Sequence, residues 1–589
     1  MTCTKFKLTT VAAFVFAATN ANAALYKVVE VTPSFADEPE ISEIFGVAIQ
    51  PGKAVNVNAV LPALPDDELL LGCFDSNATN CADSTFKLAG ETRNAIEGVS
   101  YREEVPFAMD AAFQYIQNKD DFYDYCRREL KYSTCESWAD EHWSTWDKER
   151  NLSYVNAKAF IEGGSTYESR NTVINALDID AKPLGIKSEG DIRHNAMFTT
   201  PSGPTGTSET RAWQAIKTSN GTVYNVGSVS KKGPTTNTSD TTFSSKAAIW
   251  DGTTTQDIDW VRSGNAQEGD FFAQGSMRSI AIDESKSIFY GVGYNTTNGS
   301  GSLQDMNASV FISKSLDLAD SSNTWTTKII SGAEVKSGSS NDDARYSNSV
   351  ATDINDNLLA VGYAKRNGYV PEKGSAGNKI FVVPDASAST PTATFLSGGI
   401  FFNGASGEAK AVNNYNEIVG QVDAETIREV DGSERRHRGF IYPYEVKSSK
   451  NERRVDIFNG QAWWLDDLTN DGNASGDNNK FRIIDATDIN DAGVISATAI
   501  KCMLDTDGDG KGDSEQAYDT TSHNSYCGGA ASNAVEEVVA VKLIPIAGNT
   551  KADIQPRSTD TEKVGRQGGS LGWFALTVLG LLGFRRKFK

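Results

Sequence analysis

Ala351-Thr-Asp-Ile-Asn-Asp-Asn-Leu-Leu-Ala-Val-Gly-Tyr363 reads as a β-hairpin. Val350, Thr352 and Ile354 alternate with smaller or polar neighbours, the period of a half-buried strand. Asn355-Asp356-Asn357 is turn chemistry, because Asn and Asp tolerate positive φ and bond their own backbone. Leu358 to Val361 is a second apolar run, and Gly362 lets a neighbouring backbone come close.

The unit recurs as Ala176–Ile186, Ala215–Gly227, Ala281–Gly293, Ala411–Gly420 and Ala486–Ser496. The leading alanines lie 39, 66, 70, 60 and 75 residues apart, a blade-like spacing with loops of variable length. A third strand follows several units: Ala247–Trp250, Ser309–Ile312, Lys379–Val383, Gly439–Tyr442 and Glu537–Val541. Three or four antiparallel strands cannot bury both faces alone, whereas radial stacking gives a shared core and short edges. The expected fold is therefore all-β, a β-propeller of about six to seven blades with a small α-helical insertion near the N-terminus. Pairing of Tyr26–Val31 with Val538–Ile544 would close such a ring. A linear β array or two sandwiches is the alternative. A chain of 589 residues with 51 glycines, 39% apolar and 23% charged residues fits a folded repeat architecture and not a disordered one.

Six segments follow from composition. Residues 1–23 are a secretory signal peptide: Lys5 and Lys7 precede the apolar run Leu8–Ala18, and Ala21-Asn-Ala23 is a small-x-small site for signal peptidase. Residues 24–105 are an N-terminal β region, in which Phe45–Val57 suggests a hairpin turning at Pro51-Gly52. Residues 106–150 are the helical insertion, with Phe107, Met109, Ala112, Phe113 and Ile116 at helical spacing. Its Tyr123, Tyr125, Trp138, Trp143 and Trp146 either pack the insertion or form a binding platform. Residues 151–549 are the repeats, 550–569 a linker, and 570–589 an apolar helix with a basic tail.

That tail carries an address. Gly568-Gly569-Ser570 precedes the apolar run Leu571–Phe584 and the basic Arg585-Arg-Lys-Phe-Lys589. The run is short for a bilayer span. The order resembles the GlyGly-CTERM sorting signal of Gram-negative secreted proteins, over the last 22 residues only. The resemblance implies transient inner-membrane anchoring, cleavage near Gly569 by a rhombosortase-like protease, and export by type II secretion to the cell surface or medium. A permanent tail anchor is the alternative. The repeats resemble HAF-type extracellular repeats, whose units read Ala-x-Asp/Asn-Ile-Asn, turn, Val-x-Gly, with His437-Arg-Gly-Phe440 nearest to the His-Ala-Phe element. The whole chain is similar to an uncharacterised exported Gram-negative family, which implies a location and not an activity.

Removing both ends takes away six lysines and arginines and no acid, so the formal charge falls from −21 to −27. Such a chain is a poor partner for nucleic acid. Cys3 leaves with the signal peptide. Cys73 and Cys81, Cys126 and Cys135, and Cys502 and Cys527 remain as close pairs, an even count suited to disulfides in an oxidising compartment. Spacing does not choose the pairing; the sequential one is favoured because each pair brackets a polar loop.

One motif has ligand spacing. Asp505, Asp507, Asp509 and Asp513 offer carboxylates, Lys511 a backbone carbonyl, and Gly510 permits the turn, a set of hard oxygens suited to Ca²⁺. Gln516 stands where an EF-hand needs a bidentate Glu. The pattern instead resembles the calcium loop of FG-GAP propeller blades. Asp466, Asp467, Asp471 and Asp477 read as a solvated acidic turn, Arg435–Arg438 as a solvated strand end, and His142, His194, His437 and His523 as surface residues. Between residues 24 and 549 there is no Gly-x-Ser-x-Gly elbow, zincin motif or phosphate-binding loop. The leading expectation is a secreted, calcium-stabilised binding or structural module. The rivals are a propeller enzyme acting on extracellular polysaccharide, and an adhesion protein using the helical insertion.

Overall fold

Small antiparallel sheets follow one another along the chain. The computed structural model describes residues 24–558, apart from 36–42, 57–67, 94–117, 128–133, 151–156, 169–171, 190–191, 195–208, 233–242, 264–265, 269–270, 298–304, 336–344, 369, 373–375, 426–434, 446–452 and 474–475. The signal peptide with Ala23, the 107–116 apolar spacing, and the sorting segment with Gly568, Gly569 and Ser570 lie outside the described residues.

Sheet 1 holds Glu43–Ile49, Leu88–Arg93, Ala157–Ile161 and Thr166–Tyr167. Sheet 2 holds Val173–Leu177, Pro183–Glu189 and Ile192–His194. Sheet 3 runs from Glu209–Lys217 through Val223–Lys232 and Phe243–Trp250 to Thr255–Ile258. Sheet 4 takes Gly275–Asp283, Ile288–Thr296, Met306–Ser313 and Trp325–Ile329. Sheet 5 takes Tyr346–Ile354, Ala360–Arg366, Asn378–Val383 and Thr394–Phe395. Sheet 6 takes Gly407–Val412, Glu417–Asp423, His437–Pro443 and Trp463–Trp464. In sheet 7, Phe481–Ile489, Ile495–Leu504 and Ala534–Pro545 are completed by the N-terminal strand Tyr26–Glu30, with Val28 opposite Leu543. A single parallel bridge, Glu43 to Val538, joins sheets 7 and 1.

The leading strand of each sheet packs against the leading strand of the next, and that of sheet 7 packs against that of sheet 1. Apolar clusters fill each junction. Leu177 with Ala48 lies between sheets 1 and 2, Met277 with Val226 between 3 and 4, and Ile380 with Ile418 between 5 and 6. Ile441 with Ile483 lies between 6 and 7, and Ile49 with Val494 between 7 and 1.

Each leading strand carries a β-bulge at the corresponding position, at Val47, Asn175, Trp213, Arg278, Thr352, Lys410 and Thr487, and those of sheets 5 and 7 carry a second one nearer their starts. A bulge bends its strand and brings backbone against the partner. This explains the Val-x-Gly element of the repeat: a Cβ on Gly227, Gly293, Gly362 or Gly420 would lie 1.8 to 2.1 Å from a carbonyl oxygen of the bulged strand. The turn differs from its reading in one respect. The residue at positive φ is Leu358 (φ 59), not an Asn or Asp. Asn355 Oδ1 makes this possible by accepting from the amides of Asn357 and Leu359 at 3.0 Å each.

The expected hairpin over Phe45–Val57 does not form. Glu43–Ile49 pairs with Leu88–Arg93 instead, because Gly46 and Gly90 meet at its bulge, and Val55 makes only an isolated bridge to Glu68. Sheet 1 therefore joins strands from either side of the helical insertion. There, α1 (Lys119–Tyr125) and α2 (Cys135–Arg150) pack through Phe122 and Trp138, both buried and edge-to-face at 5.8 Å. Trp138 thus serves packing and not a platform. The side chains of Tyr125 and Trp146 lie outside the described residues.

Candidate functional site

The Asp505–Asp513 loop connects Ile495–Leu504 to the short strand Ser514–Glu515 and is exposed over most of its length. Gly508 and Gly510 both take φ 85, so the chain wraps on itself. Carboxylate oxygens of Asp505, Asp507 and Asp513 come within 4.8 Å of one another. Asp505 also accepts from the amides of Asp507 and Gly510, at 3.2 and 2.9 Å. Asp513 accepts from the amide and hydroxyl of Thr506, which hold its carboxyl below the usual range. Asp509 turns its Oδ1 to the Lys511 amide, 2.8 Å away, and stands apart from the cluster of three. Converging hard oxygens on a glycine-wrapped loop fit a Ca²⁺ ion. The loop lies inside the Cys502–Cys527 bridge, and Cys73–Cys81 and Cys126–Cys135 are the other two disulfides, the sequential pairing.

The polar residues of the repeat hold sheets together. Asn355 donates to Asn413 O at 2.8 Å, Asn413 to Asn490 O at 3.0 Å, and Asn490 to Gln50 O at 3.0 Å, one step per sheet. Asp353 accepts from the Val412 amide of the next leading strand at 2.7 Å and from Ser279 of the previous one at 2.5 Å. Asp488 does the same for the Ile49 amide at 2.9 Å. The free edges of leading strands are thereby satisfied, as buried amides must be. Turn formation alone does not account for these residues.

Burial pushes the Asp353 carboxyl up to about 6, against the opposing pull of its hydrogen bonds. A carboxyl raised in the folded state adds stability that is full below its ordinary pKa and is lost as pH rises through the raised value. Asp353→Asn should therefore be less stable than wild type at pH 4 by about 2 kcal/mol. The deficit should vanish or reverse by pH 8, since a rise of two units is worth on the order of 3 kcal/mol. Urea unfolding of both proteins at the two pH values reads this; a constant deficit would count against it.

Sheets 6 and 7 enclose a group of charges, and Asp466, Asp467, Arg438 and His523 among them are not the solvated residues that the sequence suggests. Asp466 and Asp467 are buried, as are Arg438, Arg482, Arg557 and His523. Arg438 pairs with Asp466 at 2.7 Å, Asp467 lies 3.0 Å from His523 Nε2, and Arg557 donates to Asp466 O. Burial opposes the charge on Asp466, but Arg438, Arg482 and Arg557 outweigh it and keep its pKa below the ordinary value. His142 is also buried, stacked on Trp138 at 3.8 Å, and burial lowers it to about 4. These partners are scattered from 438 to 557, so no local pattern announced them.

A second cluster faces sheet 7 from sheet 6. Asp423 pairs with Arg435 at 2.9 Å and lies 3.3 Å from His437 Nε2, while Lys410 contacts Glu408. Burial raises Asp485, whereas at Glu408 burial is outweighed by Lys410 and the pKa falls. Two neighbouring carboxyls pushed apart in this way are the arrangement that acid–base chemistry uses.

A family model described as a protein of unknown function (DUF3466) matches residues 217–587. No curated protein matches the chain at a significant level. Among solved structures, an N-acetylgalactosamine deacetylase from F. plautii in complex with blood group B trisaccharide is similar at 8% identity. The match covers 68% of this chain and 86% of that one, with a TM-score of 0.21, too low to carry an argument.

Proposed function

The chain belongs to the DUF3466 family of unknown function, and we propose that it is an exported seven-bladed β-propeller serving as a binding and structural module at the cell surface. The observation that carries this reading is the run of junctions between leading strands, which returns from sheet 7 to sheet 1, together with the N-terminal strand completing the C-terminal sheet. The repeat carboxylates Asp353 and Asp488 are spent on backbone amides, which suits a scaffold. HAF-type repeats and the GlyGly-CTERM signal supply the surface address, through signal peptidase, type II secretion and a rhombosortase-like protease. The start of the fold fits signal-peptide removal after Ala23: Ala24 and Leu25 are fully buried, and Asn549 donates to Ala24 O at 2.6 Å. The other end is tied as well, since the Arg557 amide donates to Asp467 at 2.7 Å, 12 residues before the proposed cut near Gly569. The cluster of Glu408, Lys410, Asp423, His437 and Asp485 favours a second reading, a propeller enzyme acting on extracellular polysaccharide.

In this reading the carboxylates of Asp505, Asp507 and Asp513 hold a structural Ca²⁺ with the Lys511 carbonyl, and Asp509 joins them only when its carboxylate leaves the Lys511 amide. Chelation should lower the melting temperature by on the order of 3 °C, and Asp507→Ala should mimic it without further response to chelator. An unchanged melt in both would remove the ion. For the address, the mass of protein recovered from the cell surface should correspond to a chain from Ala24 to about Gly569; an intact Lys589 would refute processing. For the role, purified mature protein should reattach to stripped cells and release no sugar from their surface polysaccharide. Sugar release that is abolished in Glu408→Gln would shift the conclusion to the enzyme.

A further inference from the structure

A groove of about 630 Å³ lies between the outermost strands of sheets 3 and 4, lined by Thr255–Val261, Asn323–Trp325 and Thr327. Two tryptophans, Trp260 and Trp325, line it, and both are half-buried. Their rings are held in place. Trp325 Nε1 donates to Gln256 Oε1 at 2.8 Å, and Phe289 lies parallel to the indole with centroids 6.3 Å apart. Trp260 Nε1 donates to Ser245 O at 2.8 Å, and Lys246 Nζ lies 5.3 Å from its ring centre. With both N–H groups committed, the rings offer the groove only their apolar surface.

The polar lining has one sign. Asp257 and Asp259 hold Lys246 at 2.9 and 2.6 Å, so two carboxylates cover that cation and leave an excess of negative charge. An anionic polymer would be repelled here. Thr324 adds an exposed hydroxyl. A sugar ring presents an apolar C–H face and an edge of hydroxyl donors. Rigid aromatic rings suit the first, and carboxylates the second, because hydrogen bonds to charged acceptors are the stronger ones. An open groove accommodates an extended chain in a way that a closed cavity does not.

We propose that this groove binds a neutral polysaccharide, with Trp260 and Trp325 packing on sugar rings and Asp257 and Asp259 accepting from hydroxyls. The inference rests on the reading of the protein as a surface binding module and names the ligand class and place. Its test is affinity electrophoresis of the mature protein in gels holding mannan, glucan or galactan, with alginate as the anionic control. At least one neutral polymer should retard the protein and alginate should not. Trp260→Ala should weaken binding about tenfold, the loss of one aromatic contact. Thr324→Arg, which fills the groove from an exposed position without touching the core, should weaken it similarly. Retardation by alginate alone, or by no polymer, overturns the proposal, and so does wild-type binding by both variants. If no polymer binds yet the protein still reattaches to stripped cells, the glycan groove fails and the module reading stands; if reattachment fails too, both fall.

Discussion

Gly362→Ala should destabilise the protein by about 3 kcal/mol or more, because the added carbon has nowhere to go. It would lie 2.1 Å from Val350 O and 2.7 Å from the Phe381 ring. A flexible side chain could swing aside. A carbonyl inside a bulged ladder cannot move without undoing the bulge at Thr352, and that bulge aims Asp353 at the next sheet. The cost therefore spreads to the junction between sheets 5 and 6. Gly164→Ala is the control: the nearest atom lies 3.5 Å from the added carbon, and stability should stay within about 0.5 kcal/mol of wild type. Urea unfolding measures both. A Gly362→Ala protein as stable as the control would remove the bulge as the reason for the repeated glycine. Ala497 holds the corresponding place in sheet 7, and nothing in the structure explains why that sheet accepts a methyl group.

Deleting residues 24–31 should leave a chain that no longer folds to its native state. Leu25 and Tyr26 are fully buried, and Val28 and Val31 are 6% and 5% exposed. Burial of each such side chain stabilises by about 1.5–3 kcal/mol. Four of them together match a large share of the roughly 5–15 kcal/mol that separates folded from unfolded domains. Loss of the strand also uncovers the edge of Ala534–Pro545 along Val541 to Pro545, an invitation to pair with another chain. Soluble yield, size-exclusion profile and melting temperature of the truncated protein test this. A monomer that melts like wild type would show that the N-terminal strand is dispensable.

Much of the architecture was legible because its causes are local. Strand period, turn residues and the Val-x-Gly spacing depend on neighbours a few positions apart, so the hairpins at Ala351 and Ala486 could be read directly. The pairing of the N-terminal strand with the C-terminal sheet was legible as well, since Tyr26–Val31 and Val538–Ile544 are both apolar strands in need of a partner. The hairpin at Phe45–Val57 was misread for the opposite reason. Its true partner, Leu88–Arg93, is remote, and Pro51-Gly52 supplied turn chemistry without a second strand to follow.

The same division holds at the candidate sites. The convergence of Asp505, Asp507 and Asp513 could be read in the sequence because a wrapped loop brings adjacent positions together, and the sequential disulfides because each pair brackets a polar loop. The buried pairing of Arg438 with Asp466 could not, because local composition there is that of a solvated segment. The tryptophans of the groove, Trp260 and Trp325, come from different sheets and carry no shared motif. By itself the sequence determined the strands, the turns and the all-β class. Tertiary structure alone decided what the repeated polar residues do: Asn355 reaches Asn413, 58 positions on, and Asn413 reaches Asn490, 77 positions on. Those bonds exist only once the sheets stack, when the backbone carbonyls of Asn413 and Asn490 leave water and must find a donor in the neighbouring sheet.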